Sequence, residues 1–94
     1  NLLFFILIKV RCFYVHLHLF QGVLTEVRLP AGFATRGALR LAFTDASGRL
    51  VREETVPQGG SPFSFHLSAF SSGLYHVHLL DGGRWLSGAK LVVE

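Results

Sequence analysis

The feature that most limits what this chain can fold into is residues 71–94, SSGLYHVHLLDGGRWLSGAKLVVE. A small-residue turn leads into an alternating segment, a tight Gly-rich turn and a second alternating segment. In residues 74–80, Tyr75, Val77 and Leu79 form one face, and Leu74, His76, His78 and Leu80 form the other. A two-residue period is that of a strand, whose successive side chains point to opposite faces. Asp81-Gly82-Gly83 signals a hairpin. On the returning segment, Trp85, Ala89, Leu91 and Val93 fall on the expected core side.

The middle of the chain has the same character. Residues 23–29 (VLTEVRL) alternate, and Pro30 ends the run because proline cannot donate to a ladder. Residues 38–44 (ALRLAFT) predict a strand with Leu39, Leu41 and Phe43 on one face. Asp45-Ala46-Ser47-Gly48 is a turn in which the aspartate bonds its own backbone and Gly48 tolerates a positive φ. Residues 49–56 return as the paired strand. Residues 57–61 are a loop, and residues 62–67 predict a strand with Phe63, Phe65 and Leu67 inward. No segment keeps a helical apolar period between caps. Turn signals recur every 8–12 residues or so, which is the pattern of a sandwich. The expected fold is therefore all-β, a small antiparallel immunoglobulin-like β-sandwich, with Phe43, Phe63, Phe65, Tyr75, Val77 and Leu91 buried.

Residues 1–20, NLLFFILIKVRCFYVHLHLF, stand apart. The apolar run 2–8 is far shorter than the roughly 20 residues of a membrane-spanning helix. Lys9 and Arg11 follow it, whereas the basic residues of a signal peptide precede its apolar core. From Lys9 onward Val10, Cys12, Tyr14, His16 and His18 alternate with Arg11, Phe13, Val15, Leu17 and Leu19. Three readings stay open: a strand or hairpin, a truncated membrane or signal segment, and sequence from the edge of a fragment. Residues 1–20 are set apart as an apolar N-terminal segment of uncertain role, and residues 21–94 as the β-sandwich domain.

Charge narrows the partners. Residues 21–94 hold seven Lys or Arg and six Asp or Glu, a balance of only +1. A body without a basic surplus gives nucleic-acid binding little support, and no stable membrane insertion is expected. The single cysteine, Cys12, allows no internal disulfide and reads as an inert buried thiol among apolar neighbours. The chain begins at Asn1 and has no methionine, which suggests the end of a longer protein.

No catalytic constellation emerges. His76-x-His78 and His16-x-His18 each put two imidazoles on one strand face, a spacing that zinc can use. A third ligand such as His66 is then needed, if its strand pairs with that of His76. The alternative is that these histidines fill the outer faces of half-buried strands, and no metal or cofactor is expected. Asp45 and Asp81 read as turn formers. Adjacent Glu53 and Glu54 point to opposite faces, so they are no carboxylate dyad. No serine has a nucleophile-elbow context. Trp85 is the best candidate for stacking on a sugar, against packing in the core or at its rim.

Three motifs occur in a fixed order. Asp45-Ala46-Ser47-Gly48-Arg49-Leu50-Val51 fits D-x-x-G-[RK]-x-[VL]; Leu67-Ser68-Ala69-Phe70-Ser71-Ser72-Gly73-Leu74-Tyr75 fits L-S-x-[LF]-x-x-G-[VL]-Y; Lys90-Leu91-Val92-Val93-Glu94 is a lysine followed by aliphatics. Over residues 37–94 this order resembles the type A C-terminal sorting domain of type IX secretion. The Tyr-Pro-Asn-Pro-like opening common in that family has no counterpart here. The resemblance implies a non-catalytic, immunoglobulin-like module at the end of a covalently linked cargo protein. It implies export through the periplasm and outer membrane to the cell surface or medium, with the type IX machinery and a sortase-like peptidase as partners. Carried over by motif, the signal residues are Asp45, Gly48, Arg49, Gly73, Tyr75, Lys90, Leu91, Val92 and Val93. The competing reading is an immunoglobulin-like or fibronectin-like spacer or adhesion module. The Ig-like domain of flagellar hook-capping proteins has a similar Gly-Arg-Leu-Val turn, but its Trp-Asp-Gly-type segment is missing here.

Overall fold

A computed structural model describes residues 3–20, 23–30, 32, 33, 35–56, 63, 64 and 70–93. Eight strands follow one another: β1 (Leu3–Val10), β2 (Phe13–Phe20), β3 (Val23–Arg28), β4 (Leu39–Asp45), β5 (Leu50–Val56), β6 (Phe63–Ser64), β7 (Gly73–Asp81) and β8 (Arg84–Val93). They form two four-stranded antiparallel sheets, ordered β1-β2-β3-β6 and β5-β4-β7-β8, packed as a sandwich. Among the described residues no helix is long and apolar enough to cross a membrane.

The alternation read from sequence sets the inner faces. Leu39, Leu41 and Phe43 of β4 and Tyr75, Val77 and Leu79 of β7 are buried, as are Leu91 and Val93 of β8. They meet Ile8, Val10, Val15, Leu17, Leu19 and Val27 from the facing sheet in one core. Each fully buried side chain of this size contributes about 1.5–3 kcal/mol of transfer free energy. Phe43 also lies 5.1 Å from Phe70, whose ring is 5.2 Å from that of Tyr75. The Arg52 guanidinium covers Phe70 at 4.5 Å, closing this aromatic cluster against water by a cation–π contact. The expected burial of Phe43, Tyr75, Val77 and Leu91 is observed. The inward faces expected for Phe63, Phe65 and Leu67 lie outside the described residues and side chains.

Residues 3–20 form an antiparallel hairpin turning on Arg11 and Cys12, with Val10 opposite Phe13. The two-residue turn resets the alternation. Val10 therefore faces the core together with Val15 and Leu17, rather than lying opposite them. Cys12 occupies the turn and is exposed, which corrects the expectation of a buried thiol. Its apolar sequence neighbours belong to the strands on either side, not to the turn.

Trp85 also departs from expectation: it is 58% exposed. Leu79 pairs with Ser87, but Leu80 pairs with Trp85, so Leu86 is an extra residue in β8. This bulge turns Leu86 toward the core and Trp85 to the outer face beside Leu80. There the indole lies against Gly88, where an added Cβ would approach its ring to 3.7 Å, and the Val77 carbonyl oxygen to 2.9 Å.

These positions predict a ranking. Phe43→Ala is expected to cost about 3–5 kcal/mol, the usual range for a buried phenylalanine. Trp85→Ala should cost less than half as much in urea denaturation of the full chain. Equal losses would contradict the outward placement of Trp85.

Candidate functional site

The strand register gathers the three sequence motifs at one end of the sheet β5-β4-β7-β8. Asp45 pairs with Tyr75, and Tyr75 pairs with Leu91, forming one row across three strands. Two residues further on, Gly73 lies opposite Val93. Gly48 and Arg49 occupy the turn that leaves this row at Asp45. All nine motif residues therefore lie at one rim, although 48 positions separate Asp45 from Val93 in the chain.

The Asp45 turn holds itself together. The Gly48 amide donates to the Asp45 carbonyl at 2.9 Å, and the Asp45 amide donates to the Arg49 carbonyl at 2.9 Å. Oδ1 of Asp45 accepts from the Ser47 hydroxyl at 2.6 Å and from the Ser47 and Arg49 amides at 3.0 Å each. The Ser47 hydroxyl bond is the largest influence holding the Asp45 carboxyl below its ordinary range, followed by the Arg49 amide. Arg49 Nε adds an exposed ion pair to Oδ2 at 3.4 Å, which is worth little by itself. Gly48 sits at φ +90°, a backbone region that other residues seldom adopt.

The second motif is a corner. The Tyr75 hydroxyl donates to the Ser71 carbonyl four residues upstream at 2.7 Å. Immunoglobulin-like sandwiches use a comparable tyrosine corner. Gly73 lies between the two bonded residues at φ +151°, and a Cβ there would lie 3.9 Å from the Tyr75 ring. This glycine thus has a conformational reason, whereas the aromatic at 75 has a packing one.

The third motif alternates in β8. Leu91 and Val93 are buried, whereas Lys90 and Val92 face outward. On the outer face Val92 lies opposite Leu74, and Lys90 lies opposite His76. Thr44 is on the other side of His76, with Leu50 beyond it. Leu50, Leu74 and Val92 are all exposed. The rim is therefore an apolar surface bearing one lysine, bounded by the rigid Asp45 turn. Leu50, Thr44, Leu74 and His76 were not among the expected site residues. Period-two alternation marks them as outward, but only cross-strand register brings them beside Lys90.

The histidine reading changes at His78. Its Nδ1 accepts from Trp85 Nε1 at 3.1 Å, and its Nε2 lies 3.4 Å from the Thr44 hydroxyl. Both edges of β7 are taken, by β4 and β8. The third ligand expected at His66 lies outside the described residues. Among the described residues no group of three or more His, Cys, Asp or Glu side chains is arranged to hold a metal. Asp81 does more than form its local turn. Its Oδ1 and Oδ2 accept from the Gly37 and Arg36 amides at 2.6 and 2.9 Å. Those two amides, Arg36 first, lower its ionisation range.

The family described as the secretion system C-terminal sorting domain matches residues 26–94. The chain belongs to that family. It is a type IX secretion sorting domain, and the match contains all three motifs that meet at the rim. No curated protein and no solved structure matches the chain. The family is one of sorting domains rather than enzymes.

Two measurements follow from the rim's hydrogen bonds. The folded-state value of Asp45 is depressed, so its carboxylate stabilises the fold above the ordinary aspartate value near 3.9 and loses that contribution as pH falls through the folded value. Asp45→Asn should lower the melting temperature at pH 7, and the gap from wild type should close toward pH 2. A gap independent of pH would show that the ionised form is not what the turn uses. Tyr75→Phe keeps the ring and removes the corner bond, and should cost about 0.5–1.5 kcal/mol in denaturant unfolding.

Proposed function

We propose that this sorting domain acts without catalysis as the signal that carries a linked upstream cargo protein across the outer membrane. Asp45, Gly48, Arg49, Gly73, Tyr75, Lys90, Leu91, Val92 and Val93 are the signal motif in this reading. The type IX machinery is its partner, and a sortase-like peptidase at the surface removes it. Cargo then ends at the cell surface or in the medium. Residues 21–94 are the sorting domain in this reading, and residues 1–20 contribute two strands to one sheet of its sandwich.

The observation that supports this reading is the register. It brings three short motifs to one rim, where the side chains divide into two jobs. Tyr75, Leu91 and Val93 are buried and hold the rim's shape, while Lys90 and Val92 are outward and available to a receptor. A signal read after folding needs both parts, a stiff frame and an accessible strand. The Asp45 turn and the Tyr75 corner supply the stiffness.

Export from a bacterium with type IX secretion tests the proposal, with a folded reporter fused ahead of the full 94-residue chain. The full chain is needed because residues 1–20 supply Ile8, Val10, Val15, Leu17 and Leu19 to the core. Deleting residues 90–94 removes Leu91 and Val93 from the core, so it confounds unfolding with signal loss. Lys90→Glu is the cleaner variant, since an exposed change typically alters stability by no more than about 0.5 kcal/mol. We expect wild-type reporter outside the cell, a severalfold drop with Lys90→Glu at unchanged melting temperature, and no drop with the charge-matched control Lys9→Glu. Wild-type reporter held in the periplasm, while an established sorting domain exports it, rejects the function. An equal drop in the Lys9→Glu control removes the motif's role.

A further inference from the structure

At the opposite end of the same sheet lies a cleft that the sorting rim does not use. It opens between the β1–β2 turn, the 32–37 loop and the β7–β8 turn, and has a volume of about 410 Å³. Six residues of β4 separate Asp45 from Leu39 at this end, a distance of roughly 20 Å at strand rise. Part of the wall, including Arg11 and Phe13, precedes residues 26–94 and so lies outside the family match.

The cleft has an apolar wall and a cationic rim. Phe13 and Phe33 meet edge to face with centroids 5.7 Å apart, and Leu86, turned inward by the bulge, lines the wall beside them. Arg11, Arg36 and Arg84 surround them. Elsewhere the guanidiniums are engaged: Arg28 pairs with Glu26, Arg40 with Glu53 and Arg49 with Asp45, and Arg52 covers Phe70. Arg11, Arg36 and Arg84 make no such ion pair among the described residues. The one carboxylate at the cleft, Asp81, has its oxygens engaged by the Arg36 and Gly37 amides. Three arginines and one aspartate leave a local charge of +2.

The cleft walls are held in place. Asp81 fastens the 32–37 loop to the β7–β8 turn, and the Gly82 amide donates to the Ala38 carbonyl at 3.0 Å. The Thr35 hydroxyl donates to the Gly37 carbonyl at 2.7 Å, and the Phe33 amide donates to the Pro30 carbonyl at 3.1 Å. Arg11 occupies a turn position at φ +58°, where glycine or asparagine is the ordinary choice. A long cationic side chain is thus kept at a position whose backbone disfavours it. Such outliers point toward function when the surrounding structure holds them.

We propose that this cleft is a binding site for a small organic anion, namely a phosphate monoester carried on an apolar or aromatic body. The volume falls within the roughly 300–1,000 Å³ typical of small-molecule sites. Arginine forks match phosphate oxygens in bidentate fashion, and the local charge of +2 balances that of a phosphate monoester dianion. Phe13, Phe33 and Leu86 receive the apolar body. The site does not depend on the sorting role, and its failure would leave that role untouched.

The probe is phenyl phosphate, titrated into the full 94-residue chain and followed by calorimetry and amide chemical shifts. An ionic strength near 0.15 M screens charges farther apart than about 8 Å. Saturable one-to-one binding is expected, with shifts centred on Phe33, Arg36 and Arg84. Inorganic phosphate and phenol should each bind at least about tenfold more weakly, a difference of 1.4 kcal/mol. Arg36→Gln with Arg84→Gln should weaken phenyl phosphate by tenfold or more at unchanged melting temperature, because Arg36 holds the loop through its backbone amide. Arg11→Gly provides a second variant that suits the turn's positive φ, so it should weaken binding without loss of stability. Absence of saturation, equal binding by the double variant, or equal binding of inorganic and phenyl phosphate overturns the proposal.

Discussion

The pairing of β7 along both of its edges is the constraint on which the rest of the structure depends. Antiparallel ladders to β4 and β8 satisfy its backbone groups on both sides. Its inward residues Tyr75, Val77 and Leu79 then face the core, while His76 and His78 face out. A slip of one residue in either ladder would exchange those faces. The same register sets Asp45, Tyr75 and Leu91 in one row at one end, and at the other it sets Asp81 against Leu39 and Arg84. Both ends of the sheet take their composition from this one strand.

Two aspartates use similar chemistry over different ranges. Asp45 gathers amides and a hydroxyl from within four residues, making the β4–β5 turn a self-contained unit. Asp81 gathers amides 44 and 45 residues away and fixes a loop that has little regular structure of its own. Carboxylates that accept several N–H bonds favour their ionised form. Local chain geometry produces the first device, and the sandwich must already be assembled for the second.

Sheet edges carry a risk of pairing with other chains. Here the edge strands β1 and β8 run close to each other, one from each sheet. The Ser87 hydroxyl donates to the Lys9 carbonyl at 2.6 Å and joins them. The hairpin of β1 and β2 therefore adds core side chains, lies beside the edge of β8 and provides one wall of the arginine-rimmed cleft. Within its apolar run Ile8 is buried in the core and Ile6 packs against it.

The alternation and the turn residues determined the strands β4, β5, β7 and β8, which faces of β4 and β7 point inward, and how the Asp45 turn closes, whereas residues 1–20 stayed open among three readings. These are local properties, because a side chain's face follows from its two-residue period and a turn from four consecutive residues. The order of the three motifs likewise carried the family. The tertiary structure alone decided that Leu86 bulges and sends Trp85 outward, since a bulge exists only relative to the partner strand. It alone placed Cys12 in an exposed turn, where the hairpin resets the alternation. It also brought Asp81 to the amides of Arg36 and Gly37, and Arg11 to the same cleft as Arg84, 73 positions later in the chain. Contacts at such separations depend on which edges pair, and that choice is made by packing two sheets together rather than by any one segment.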